Sequence, residues 1–110
     1  MSNSVPKQRV NPAFDRPLYY CGDLELNVDE RVIRIDGGEE MPTRGEFELL
    51  RRLLERPGEV ISREHLKLHP TASLRSVDII VGRLRRKTAR AHAFGIEPVV
   101  GVGYRCRDTS

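Results

Sequence analysis

The chain has 110 residues, 38% hydrophobic and 32% charged, which suffices for one soluble domain with a small core and leaves no room for a second. Its two cysteines, Cys21 and Cys106, lie far apart with no CxxC or other metal spacing, so neither a disulfide framework nor a metal unit is expected. The net charge is only +3, but residues 73–107 hold eight Arg or Lys against two acids, while residues 1–72 hold eleven against thirteen.

Residues 1–17 are polar, contain Pro6, Pro12 and Pro17, and show neither helical nor strand periodicity; the reading is a flexible arm. They lack the basic-then-apolar pattern of an export signal, and no apolar run approaches a membrane span. A cytoplasmic protein with reduced thiols and no membrane association is expected.

From Leu18 the pattern shortens to strands. LYYC comes first, then DLELNV with Leu24, Leu26 and Val28 alternating, then RVIRI with Val32 and Ile33 or Ile35 inward. Gly22, Asp29-Glu30 and Gly37-Gly38 supply turns, and a short strand near Glu40 to Pro42 completes a four-stranded antiparallel meander.

Thr43-Arg44-Gly45-Glu46 fits a capping box, so a helix starts there, buries Phe47, Leu50, Leu53 and Leu54, and ends at Pro57-Gly58. Ser62 caps a second, short helix from Arg63 to about Leu68, which Pro70 stops. His65 and His69 are four apart, as in zinc-binding helices, but Pro70 follows at once and no third ligand is evident. No metal, no cofactor and no catalysis are expected.

Ser73 to His92 carries two faces at helical spacing. At about 100° per residue, Val77, Val81, Leu84, Thr88 and Ala91 fall on one side. Arg75, Arg83, Arg86 and Arg90 cluster on the other, with Ile79 and Gly82 between them. An outward arc with four arginines and no acid favours a polyanion over a merely solvated surface. The chain then turns through Phe94-Gly95, and IEPVV and VGYRC around Gly101-Val102-Gly103 form a terminal β-hairpin. Pro98 must lie on an edge strand or at a strand start, because it cannot donate to a ladder. The GxG lacks the third glycine and following helix of a nucleotide loop.

GEFELLRRLLERPGEVISREHL in the first two helices, RSVDIIVGRLRRK in the third and GVGYR in the hairpin occur in the order and spacing of one family. From about Leu18 to Arg105 the chain resembles the OmpR/PhoB-type winged-helix DNA-binding domain, the effector half of many bacterial two-component response regulators. The resemblance implies an α+β fold: a winged helix-turn-helix with an N-terminal antiparallel four-stranded sheet, three helices and a C-terminal hairpin as the wing. The unit would span residues 18–107, with an arm at 1–17 and a tail at 108–110. It also implies sequence-specific binding of double-stranded DNA, with the third helix in the major groove and the wing at the adjacent minor groove or backbone.

Carried over by residue, Ser76, Ile79 and Arg83 face bases, Arg75 and Arg85 face phosphates, and Arg63 anchors the backbone at the second helix N-terminus. Gly82, Arg86, Arg90, Val102 and Tyr104 complete the expected DNA-binding set. Asp78 is expected to orient Arg75 or to cap locally. RNA polymerase and a second copy on repeated half-sites are further partners the resemblance implies. A winged-helix protein-interaction module that modulates a transcription complex is the alternative.

This chain departs from the family at several places. Gly82 replaces a polar or basic residue, at roughly 1 kcal/mol in helix propensity. Ile80 stands where the family often has His, and Val100 where it often has a wing Arg. LHPTAS, between the second and third helices, is much shorter than the family's polymerase-contacting loop. The receiver domain is not part of the sequence, so either an excised effector domain or a stand-alone regulator is expected.

Overall fold

The computed structural model describes residues 8–11 and 16–109, with side chains from residue 18 onward. An antiparallel meander opens it, formed by β1 (Gln8–Asn11), β2 (Arg16–Cys21), β3 (Leu24–Asn27), β4 (Val32–Ile35) and β5 (Gly38–Glu40) in that spatial order. The sheet thus has one strand more than the four expected. β1 pairs with β2 from Gln8 opposite Tyr19 to Asn11 opposite Arg16, inside the stretch read as an arm. The remainder of that arm, residues 1–7 and 12–15, lies outside the described residues.

Register explains which side of the meander is buried. Leu24 faces Ile35 and Leu26 faces Ile33 across the β3–β4 pair, so these four side chains share one face and are essentially inaccessible to solvent. Asp36 and Gly37, at φ 50° and 78°, make the two-residue β4–β5 connection; positive φ at both positions is what a type I′ turn requires.

The capping box is formed as the sequence indicates. Thr43 Oγ1 accepts from the Glu46 amide at 3.2 Å, and Glu46 Oε1 accepts from the Thr43 amide at 2.9 Å. The helix that follows, α1 (Arg44–Glu55), buries Leu49, Leu50, Leu53 and Leu54 completely. It touches β2 on one side and the C-terminal half of the chain on the other, so its apolar surface wraps further round than one stripe. Each of these leucines contributes roughly 2 kcal/mol relative to exposure.

After the two-residue β6 (Ile61–Ser62) comes α2 (Arg63–Leu66), capped by Ser62 Oγ on the His65 amide at 3.1 Å. It stops short of Leu68. Its last carbonyls, of Leu66 and Lys67, accept from Arg52 Nη1 at 3.4 and 2.8 Å in place of further helical amides.

The third helix, α3 (Leu74–Lys87), has Ser73 as its N-cap and ends five residues before His92. Thr88 takes the cap: its Oγ1 donates to the Leu84 carbonyl at 2.8 Å while staying buried. Val77, Val81 and Leu84 fill the core as their spacing implies, whereas Ala91 lies beyond the helix and is only partly buried.

A hairpin of β7 (Phe94–Val99) and β8 (Gly103–Asp108) closes the fold, with β6 added to β8 in the order β6-β8-β7. The tip is a β-turn in which the Val102 amide donates to the Val99 carbonyl at 2.9 Å and Gly101 supplies φ 79°. β8 runs to Asp108, and the Thr109 amide donates to the Ala93 carbonyl at 2.9 Å, so the ordered body continues into the stretch read as a tail.

The two halves are also fastened at one crossing. Asp23, in the β2–β3 turn, accepts the His92 and Ala93 amides at 2.7 and 2.9 Å. Burial opposes its charge, but these amides outweigh it and hold the carboxyl below its ordinary value. Gly22 beside it has no room for a side chain, because a Cβ would lie 1.8 Å from the Ala93 carbonyl oxygen.

Candidate nucleic-acid interface

α3 turns its apolar stripe into the core and leaves its opposite arc to solvent. Arg75, Arg83 and Arg86 are exposed there and make no ion pair or hydrogen bond among the described residues. Ile79 stands between them at 45% exposure, a large apolar side chain with no neighbour to cover it. A Cβ added at Gly82 would meet nothing nearer than Arg86 Nη1 at 3.9 Å, so the glycine leaves open space on this arc and is not demanded by internal packing. Ser76, at the arc's N-terminal end, donates its Oγ to the Ser73 carbonyl at 2.6 Å.

The remaining arginines of the expected set are held internally. Arg63 Nε and Nη2 reach Asp78 Oδ1 and Oδ2 at 3.2 and 2.5 Å, a two-toothed pair between α2 and α3. Arg85 directs Nε and Nη2 onto the Ile96 carbonyl at 3.2 and 2.9 Å, and its guanidinium lies 5.8 Å from the centre of the Tyr104 ring. Arg90 reaches back across β5 to Glu40 at 2.9 Å, where it fills the space a side chain at Gly38 would need. Lys87 bonds buried Glu46 at 2.6 Å and the Met41 carbonyl at 3.0 Å.

Asp78 has a different role from the one expected. Rather than orienting Arg75, it binds Arg63 and accepts the Tyr104 hydroxyl at 2.7 Å. The Tyr104 donor, set against the cost of partial burial and aided by Arg63, keeps the Asp78 carboxyl below its ordinary value. The Arg63 amide donates to the Val102 carbonyl at 3.4 Å, so the C-terminal side of the hairpin turn is tied to the start of α2 as well. At the tip Val100 and Val102 are 94% and 52% exposed. The hairpin's own arginines, Arg105 and Arg107, both bond Glu97, at 3.0 and 2.7 Å.

The histidines belong to local turns, His65 Nδ1 with Ser62 Oγ at 3.1 Å and His69 Nδ1 with Thr71 Oγ1 at 2.8 Å. Among the described residues no three His, Cys, Asp or Glu side chains are grouped to hold a metal ion, and no helix is long and apolar enough to cross a membrane.

A short helix, a turn, a longer helix with an exposed cationic arc, and a hairpin fixed to its flank define a winged helix-turn-helix. Residues 38–106 match the family described as "Transcriptional regulatory protein, C terminal". The chain belongs to that family. It is 36% identical over 108 residues to regulatory protein VirG of Rhizobium rhizogenes, covering 82% of this chain and 45% of the relative. It is 38% identical over 74 residues to the TorCAD operon regulator TorR of Escherichia coli K12, covering 62% of this chain and 30% of the relative. The chain therefore spans less than half the length of these relatives.

Similar solved structures include the DNA-binding domain of CpxR from E. coli, with TM-score 0.71 and 28% identity over 86% of this chain and 99% of that one. The DNA-binding domain of the response regulator AdeR, solved in complex with an intercistronic region, gives TM-score 0.71 and 26% identity over 81% of this chain and 97% of that one.

Proposed function

We propose that this chain binds double-stranded DNA sequence-specifically, as the effector domain of a bacterial two-component transcriptional regulator. The observation that carries the reading is the set of three exposed arginines on the outward arc of α3, Arg75, Arg83 and Arg86, which have no acceptor among the described residues. A fold that supplies carboxylates and carbonyls to Arg63, Arg85 and Arg90 leaves these three for an external polyanion.

In this reading α3 enters the major groove. Arg83 makes a bidentate contact to guanine, Ile79 packs on a thymine methyl, Ser76 meets a base edge, and Gly82 lets the helix backbone approach. Arg75 and Arg86 contact phosphates, and Val102 follows the DNA backbone beside the groove. Arg63, Arg85, Arg90 and Tyr104 serve the interface by holding α2, α3 and the hairpin in one geometry. The binding unit runs from β2 to β8, acting in the cytoplasm without catalysis. RNA polymerase and a second copy of the chain on repeated half-sites are its further partners.

Titration on duplex DNA at several salt concentrations tests this. Sub-micromolar affinity on an order-of-magnitude scale is expected, falling steeply with salt as counterions are released. Selection from random duplexes would yield the preferred site. Affinity indifferent to salt, or no enrichment of any sequence, would overturn the reading.

A further inference from the structure

Asp78 is the only acid on α3, and it sits one turn or so from Arg75 and Arg83 on a surface otherwise suited to phosphate. A bare carboxylate there would repel DNA. Its two oxygens are instead occupied from two directions, Oδ2 by Arg63 of α2 and Oδ1 by Tyr104 of β8 together with Arg63 Nε. Three segments therefore meet on one side chain: α2, α3 and the hairpin. The neighbouring tie, from Arg85 to the Ile96 carbonyl, joins α3 only to the hairpin's other strand.

We propose that Asp78 is the positioning residue of the interface. It fixes the hairpin relative to α3 through Tyr104, and by neutralising Arg63 it keeps that guanidinium from binding phosphate indiscriminately. Sequence discrimination, more than affinity, then depends on a residue that touches no DNA. This rests on the reading that the outward arc of α3 meets DNA.

Two variants separate the components. Asp78→Asn keeps an acceptor for the tyrosine hydroxyl but releases Arg63 and removes a negative charge from the face. Random-sequence DNA should be bound about three- to tenfold more tightly, the salt dependence should steepen by about one released ion, and the ratio of preferred to random affinity should fall. Tyr104→Phe keeps the Arg63–Asp78 pair but cuts the hairpin's tie. Discrimination should fall with the salt dependence unchanged.

Hydrogen exchange on the free proteins supplies a readout that needs no DNA. The amides of Arg63 and Tyr104 should exchange faster in both variants. An unchanged discrimination ratio in Asp78→Asn would overturn the proposal, as would a Tyr104→Phe variant that loses the same factor on both DNAs, which would mean the hydroxyl itself contacts the duplex. If exchange quickens as expected while the wild-type chain binds no duplex, the tie stands and the DNA reading falls.

Discussion

The two sides of α3 hold the same kind of side chain in opposite circumstances. On the flank toward the hairpin and at the helix end toward β5, Arg85 and Arg90 have a carbonyl and a carboxylate within 3 Å. On the outward arc, Arg75, Arg83 and Arg86 have none among the described residues. A guanidinium given an internal acceptor stabilises the fold, whereas these three are left to bind something else, Arg83 acting on the fold only through its charge near Glu46. The difference lies in what the third dimension brings near, since both groups occur within a single run of sixteen residues, 75–90.

The sharpest test of the internally held group removes an acceptor. Glu46 is 2% exposed, receives Lys87 at 2.6 Å and completes the α1 capping box. Glu46→Ala should destabilise the domain by about 2 to 3 kcal/mol, less than for a fully buried pair because Lys87 still reaches solvent. Denaturant unfolding measures this. Burial opposes the Glu46 charge, but Lys87 and the Thr43 amide outweigh it and lower its pKa in the fold. Stability from a depressed carboxyl is present above the unfolded value and is lost as pH falls through the folded one. Asp23 and Asp78 act in the same direction. The melting temperature should therefore drop on acidification below about pH 4.5, and Glu46→Gln should flatten that decline.

The outward group should show the reverse profile. Arg83→Ala is expected to weaken binding to the preferred site by about 1 to 3 kcal/mol, with little effect on random DNA or on stability. Arg75→Ala should weaken both DNAs about equally. If titrations found the two substitutions alike, the division between base and phosphate contacts would be wrong.

Arg85→Ala belongs to the opposite class. Two hydrogen bonds to the one Ile96 carbonyl are worth about 1 kcal/mol of stability. Thermal unfolding should register that loss, and an effect confined to DNA binding would break the comparison. The smallest effect concerns the wing tip. Val100→Arg should raise affinity about two- to threefold, more for sites with A·T-rich flanks than G·C-rich ones, because a narrow minor groove attracts arginine. Equal gains on both flanks would indicate general electrostatic attraction without insertion.

Local chemistry was legible in the sequence, whereas long-range pairing was not. The Thr43–Glu46 box, the Ser62 cap, the α3 stripe and the edge placement of Pro98 each depend on residues a few positions apart. β1 was missed because its pattern carries no alternation, and its pairing partner supplies the order. The end of α3 was misjudged because no Gly or Pro marks it; a threonine hydroxyl bonding the Leu84 carbonyl serves instead. The acceptors of Arg63, Arg85 and Arg90 lie 15, 11 and 50 positions away, beyond any spacing rule.

Pro98 also governs how this domain can associate. In the β6-β8-β7 sheet the outer strands are the two-residue β6, too short to template another chain, and β7, where Pro98 stands opposite Tyr104 and offers no amide to a newcomer. Pro98 interrupts strand addition along β7, and β6 offers only two residues to pair with. A neighbour approaching the hairpin sheet must engage side chains or the exposed tip, which protects the sheet from edge-to-edge aggregation.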